Sequence, residues 1–178
     1  MSNERSKSTG GDENKMIEIQ LTKDIINKCE SRANEIGNLN NSITSGEGNL
    51  AGVIGEYLVH KHLEGSKWEN QYGYDLKYKN KTIDVKTKRS KYKPLEFYDV
   101  AIAETSLHQE CDEYIFVTIL NDMSKAWIVG GMEKEKYFNS ARKMIKGQVD
   151  PSNNFKVKSN CYNMKIEKLN QINSEETV

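Results

Sequence analysis

The sequence predicts a mixed α/β (α+β) domain from three observations. Two stretches of helical period lie early in the chain, and a strand-turn-strand segment follows them. The apolar run "YIFVTIL" (114–120) then has the length and β-branched content of a buried central strand.

Residues 1–15 are polar and aperiodic, too poor in apolar surface to offset the entropy of ordering, and are read as a disordered tail. One domain is expected over 16–172, with a short C-terminal tail at 173–178. "MIEIQLT" (16–22) alternates as a half-buried strand does, and Thr22 then caps a helix carrying Ile25, Ile26, Cys29, Ala33 and Ile36 that Gly37 stops. "NLNNSITSGEGN" (38–49), with Asn40, Asn41, Ser45 and Asn49, reads as a loop that could touch a nucleic-acid backbone or groove, and a second helix follows over 49–63. Strands are expected near 67–76, 82–89, 99–103, 114–120 and 125–131, then a helix over 132–145 and a late strand over 161–169.

Lys plus Arg equals Asp plus Glu at 26 each, so attraction to a polyanion has to come from a local patch. Cys29, Cys111 and Cys161 are isolated from one another and from zinc-spaced histidines, which argues against a disulfide framework or structural zinc and fits a reducing cytosol. No apolar stretch has the length of a signal region or a membrane span, so a soluble cytoplasmic protein is expected.

The chemistry concentrates in "YDLKYKNKTIDVKTKR" (74–89). With Lys79 and Asn80 as a two-residue turn, Tyr78 faces Lys81, Leu76 faces Ile83 and Asp75 lies opposite Asp84. Leu76, Tyr78, Ile83 and Val85 then share one face; Asp75, Lys77, Thr82, Asp84 and Lys86 share the other. Carboxylates opposed at roughly 5 Å repel unless a positive group lies between them, and a divalent cation resolves that repulsion. Lys86 projects from the same face about 6.6 Å beyond Asp84.

The preceding helix "NLAGVIGEYLVHKHLEG" presents Leu50, Val53, Ile54, Tyr57 and Leu58 as an apolar stripe with Glu56 at its edge. Gly52 and Gly55 each weaken a helix by roughly 1 kcal/mol relative to alanine, which suggests that another group approaches closely there. His60 and His62 are expected on the helix surface, and neither they nor His108 is needed for the chemistry.

Glu56 on a helix, Gly73 just ahead of Asp75, and Asp84-Val85-Lys86 on a hairpin resemble the active-site pattern of the PD-(D/E)xK nuclease superfamily. The resemblance covers about residues 47–120, and Tyr74 stands where the family's proline would be. It implies a restriction-endonuclease-like fold, a mixed central sheet flanked by helices. It further implies a Mg2+- or Mn2+-dependent deoxyribonuclease with Glu56, Asp75, Asp84 and Lys86 as catalytic residues. Glu56, Asp75, Asp84 and the carbonyl of Val85 would be the metal ligands, with Lys86 orienting the attacking water. The small size resembles phage-encoded or restriction-type nucleases.

Between Lys77 and Lys93 eight basic residues accompany a single acid, so this segment is strongly positive in a balanced chain. Lys77, Lys88, Arg89, Lys91, Lys93 and the stacking ring of Tyr92 are the candidate DNA contacts. The alternatives are a non-catalytic nucleic-acid-binding module of the same fold and a metal enzyme acting on a small phosphate ester. Double-strand cleavage by one such site calls for a homodimer or two successive nicks.

Overall fold

The computed structural model describes residues 16–40 and 47–173. The chain order is β1 (Ile17–Gln20), α1 (Lys23–Asn40), α2 (Glu47–His62), β2 (Lys67–Gln71), β3 (Tyr74–Tyr78), β4 (Lys81–Ser90), β5 (Asp99–Ala103), β6 (Glu113–Leu120), β7 (Lys125–Glu133), α3 (Lys134–Ser140), β8 (Arg142–Met144), β9 (Val149–Asp150), β10 (Phe155–Lys156) and β11 (Cys161–Lys165). A six-stranded sheet runs in the order β1-β7-β6-β4-β3-β2, with β4 and β6 parallel and the other neighbours antiparallel. A three-stranded sheet, β5-β11-β8, and the β9-β10 ribbon complete a mixed α+β architecture.

Period two along the central strands builds two cores, one on each face of the large sheet. Ile115, Val117 and Ile119 of β6 and Ala126 and Ile128 of β7 pack with Cys29 and Ala33 of α1 and Val53, Ile54, Leu58 and Val59 of α2. The intervening Tyr114, Phe116, Trp127 and Val129 pack instead against Val100 and Ile102 of β5, Tyr137 of α3 and Met164 of β11. Burial on both faces explains the nearly continuous apolar reading of β6. The helices therefore flank one face by α1 and α2, while the other is covered by a small sheet together with α3.

Several boundaries differ from the sequence reading. Thr22 does cap α1, its Oγ1 accepting the Ile25 N–H at 3.3 Å, but the helix continues through Gly37 to Asn40. The loop expected over 38–49 is accordingly helical at both ends; Asn41 and Ser45 fall outside the described residues, as do 1–15 and 174–178. The strand expected over 67–76 is two strands, because Gly73 (φ 102°) turns the chain and packs against the backbone of Glu110. The helix expected over 132–145 lasts only from Lys134 to Ser140, since its continuation pairs with β11 as strand β8. The late strand stops at Lys165, where a 3-10 turn (Ile166–Lys168) begins. Among the described residues no helix is long and apolar enough to cross a membrane.

The helix glycines differ in kind. Gly55 is buried where α2 crosses β4, and a methyl group there would collide with Thr87 Oγ1. Gly52, expected to mark a close approach too, has open space where its Cβ would be. Gly55→Ala should therefore cost about 1–3 kcal/mol through overpacking. Gly52→Ala should instead stabilise by up to about 1 kcal/mol through helix propensity. Denaturant melts of both variants check this, and Thr87→Ala should absorb most of the Gly55→Ala penalty in a double-mutant cycle.

Candidate functional site

The hairpin forms with the expected register and turn: Tyr78 pairs with Lys81, Lys77 with Thr82 and Leu76 with Ile83, and Lys79 (φ 46°) and Asn80 (φ 62°) occupy the left-handed region that a type I′ turn requires. The ladder ends there. Asp75 does not continue it as a facing pair with Asp84; its Oδ2 accepts the Val85 N–H at 2.8 Å. The Gly73 turn lies just ahead of Tyr74, where β3 begins, and the Val85 N–H offsets part of the repulsion that Asp84 exerts on Asp75.

On β4, Ile83 and Val85 point into the α1/α2 core while Asp84 and Lys86 point to the opposite face, towards Tyr114. Asp84 is only 5% exposed, and its Oδ2 lies 2.8 Å from Lys86 Nζ. The angle at that contact is not that of a hydrogen bond, so this buried oxygen keeps an unused lone pair. Gln109, from the segment leading into β6, closes a ring: its Oε1 accepts from Lys86 Nζ at 2.8 Å and its Nε2 donates to Asp84 Oδ1 at 3.2 Å. Lys134 anchors that segment by donating to the carbonyls of Leu107 and Gln109.

Glu56 reaches the site from α2, with its Oε2 accepting the Trp68 Nε1–H at 2.7 Å. The Arg32 guanidinium lies 3.6 Å from the centre of the Trp68 ring, so an arginine of α1 backs the indole that holds the glutamate. Burial raises the Glu56 pKa first, and Asp84 adds to it, against the lowering effects of the Trp68 bond and Arg32. Asp75 is pushed up to about 8, first by burial and then by Glu56 and Asp84, against the Val85 N–H and Lys86. Carboxylates from three elements thus act on one another, Glu56 and Asp84 both disfavouring the ionisation of Asp75.

Of the four expected catalytic residues, Asp84 and Lys86 are in direct contact, Asp75 joins β4 through the Val85 N–H, and Glu56 stands near enough to raise the Asp75 pKa. Among the described residues no three His, Cys, Asp or Glu side chains close into a ready cage for a metal ion. Each carboxylate is instead engaged by a protein donor or cation. The donor set still suits a hard cation, being all oxygen, mutually repelling and including the spare lone pair on Asp84.

The basic residues divide. Lys88, Lys91 and Lys93 are exposed along and beyond the end of β4, with Tyr92 62% exposed and Lys91 Nζ 5.5 Å from the centre of its ring. Arg89 is tied to the Asn121 carbonyl at 2.9 Å. Lys77 sits towards the turn, opposite Thr82, and pairs with Glu69 at 3.7 Å, apart from the others. His60 and His62 are not on an open helix surface: His60 Nδ1 bonds Ser66 Oγ at 2.8 Å and His62 Nε2 the Ile172 carbonyl at 3.1 Å. Cys29, Cys111 and Cys161 are free thiols, and burial pushes Cys29 up to about 11.

Sequence reasoning missed Arg32, Trp68 and Gln109, which hold the acids and the lysine. It also missed Tyr72, 89% exposed and stacked on His108 at 6.4 Å, at the rim formed by the Gly73 turn and the Gln109 segment. Trp68, one of two tryptophans, lay in a segment already read as a strand near the motif; nothing local marks Gln109 or Arg32. A scan against protein-family models and a search of curated proteins find no match.

The Asp75 carboxyl remains protonated in the fold up to about pH 8, against an ordinary value of 3.8. Between those limits the folded chain binds more protons than the unfolded one, so stability falls as pH rises through that window. In EDTA the melting temperature should drop from pH 5 to pH 8, and Asp75→Asn should flatten the drop. A pH-independent melting temperature over that range would show that Asp75 ionises normally.

Proposed function

We propose that the chain is a divalent-metal-dependent endonuclease with a restriction-endonuclease-like fold that hydrolyses DNA phosphodiester bonds. The observation that carries this reading is the action of Glu56 and Asp84 on Asp75, across three separate elements, in a site where burial and like charge raise Asp75 to about 8 and Lys86 stands 2.8 Å from Asp84. A fold has no structural use for such mutual repulsion. A cation gives it one.

Glu56, Asp75, Asp84 and the Val85 carbonyl are the oxygens that would hold Mg2+ or Mn2+, hard ions that favour such donors. Bound there, the ion would polarise the phosphate and acidify water. In the hydrolysis, a water oxygen bonds to phosphorus, the bond to the leaving sugar oxygen breaks, and the proton given up by water ends on the leaving oxygen or in solvent. Lys86 would donate to the attacking water and to a phosphate oxygen, offsetting negative charge as it builds. Gln109 would keep the ammonium in place through its 2.8 Å bond. Trp68 would orient Glu56, and Lys88, Lys91, Tyr92 and Lys93 would track the strand beyond the site.

A non-catalytic nucleic-acid-binding module is the second reading, favoured by the closed ring of Lys86, Asp84 and Gln109, in which each group already has a partner. Metal-dependent cleavage separates the two. Purified protein should cut plasmid DNA with Mg2+ or Mn2+ and not with EDTA. Asp84→Asn should lower the rate by orders of magnitude while DNA affinity holds or rises, because a negative charge facing phosphate is gone. Lys86→Ala should also stop cleavage but leave Mn2+ binding by calorimetry largely in place, since lysine is not a ligand. Stable variants that cut at the wild-type rate would remove this hairpin from the active site.

The basic end of β4 gives a separate readout. Lys88→Ala combined with Lys91→Ala should lower the slope of log affinity against log salt by about 2, since roughly one counterion is released per phosphate contact. An unchanged slope in a filter-binding titration would place DNA elsewhere.

A further inference from the structure

A cavity of about 250 Å³ opens beside Lys86, on the sheet face that carries Asp84. Lys86 and exposed Lys88 of β4, Phe116 and Thr118 of β6, and Tyr98 and Val100 at the start of β5 line it. That volume is on the scale of a single nucleoside and small for a base pair. Tyr98 and Phe116 contribute aromatic rings to its lining, and Thr118 a hydroxyl beside the apolar Val100 and Ile166. Asp99 is committed elsewhere, its Oδ1 to Lys165 at 3.4 Å and its Oδ2 to Arg142 at 3.1 Å and Asn153 at 3.2 Å, so the Thr118 hydroxyl is the polar group left to meet the edge of a base. Pro94 also lines the cavity, which places the loop bearing Lys91 and Lys93 at its margin. Aromatic rings, a threonine hydroxyl and flanking lysines match the three parts of a nucleotide: a flat ring, a hydrogen-bonding edge and a phosphate.

We infer that this cavity takes one unpaired nucleoside of the bound strand, next to the phosphate that lies at the carboxylates, so that the preferred substrate is DNA with an unpaired or extruded nucleotide at the cut. The inference rests on the nuclease reading for its neighbouring phosphate. A base stacked within a duplex cannot enter so small a space without leaving its partner, and the energy of unpairing is least where the base is already single-stranded or mismatched.

The test measures binding in EDTA, with no cleavage required. The full chain is titrated with a fully paired duplex, the same duplex carrying one unpaired 2-aminopurine, and the corresponding single strand. The unpaired forms should bind roughly tenfold more tightly than the paired duplex, as expected for one stacked base, with 2-aminopurine emission quenched. Ala101→Trp, at an exposed lining position, should abolish that preference while paired-duplex affinity holds, and Tyr98→Ala should reduce it. Equal affinity of the wild-type chain for paired and unpaired DNA, unquenched emission, or a preference that survives Ala101→Trp at wild-type melting temperature would overturn the inference. Parallel Mg2+ and Mn2+ cleavage assays keep the two ideas apart. Cleavage without a preference for unpaired DNA rejects the nucleoside cavity alone, and preference without cleavage rejects the nuclease reading alone.

Discussion

The close approach of α2 to β4 at Gly55 and Thr87 is the constraint on which the site depends. A side chain at position 55 would push the helix off the sheet, because Thr87 Oγ1 already fills the space where a Cβ would go. Glu56 is the next residue on that helix, so the same contact sets how far its carboxylate stands from Asp75 and Asp84. The Thr87 hydroxyl is itself buried without a hydrogen bond, a cost consistent with the two backbones being held together by the apolar packing around them.

That packing holds together a group of charges that would otherwise drift apart. Burial and like charge both raise the proton affinity of Asp75 and Glu56, and the surrounding donors offset only part of the effect. Trp68, the Val85 N–H, Gln109 and Lys86 each engage one oxygen. These donors are neutral groups or a single ammonium, so the site keeps a deficit of positive charge that a hard cation or a proton can fill. The division of the molecule into two cores serves the same end. The α1/α2 core anchors Glu56, and the core behind Tyr114 and Phe116 supports the face from which Asp84 and Lys86 project.

The mixed α+β class, the I′ hairpin and the grouping of Asp84 with Lys86 on one strand face were legible in the sequence because each rests on local rules. Side-chain alternation is set by the pleat, and Asn80 tolerates the positive φ that the turn demands. The Thr22 cap was legible for the same reason, since its partner lies three residues away. The end of α1 was not, because a glycine in a helix costs only about 1 kcal/mol and longer-range packing can override it.

What only the tertiary structure decided involves partners distant in sequence. Asp75 and Asp84 looked like an opposed pair, yet the ladder ends at Leu76 and Ile83 and the Asp75 carboxylate accepts the Val85 N–H instead. Gln109 reaches Lys86 across 23 positions, and Arg32 backs Trp68 through contact between α1 and the edge of the sheet. The sequence by itself determined which residues carry charge and on which face of their own strand or helix they fall, because those follow from backbone period. Which oxygen meets which donor, and how strongly one acid raises another, depended on burial and on distances between segments, and both exist only once the cores have closed.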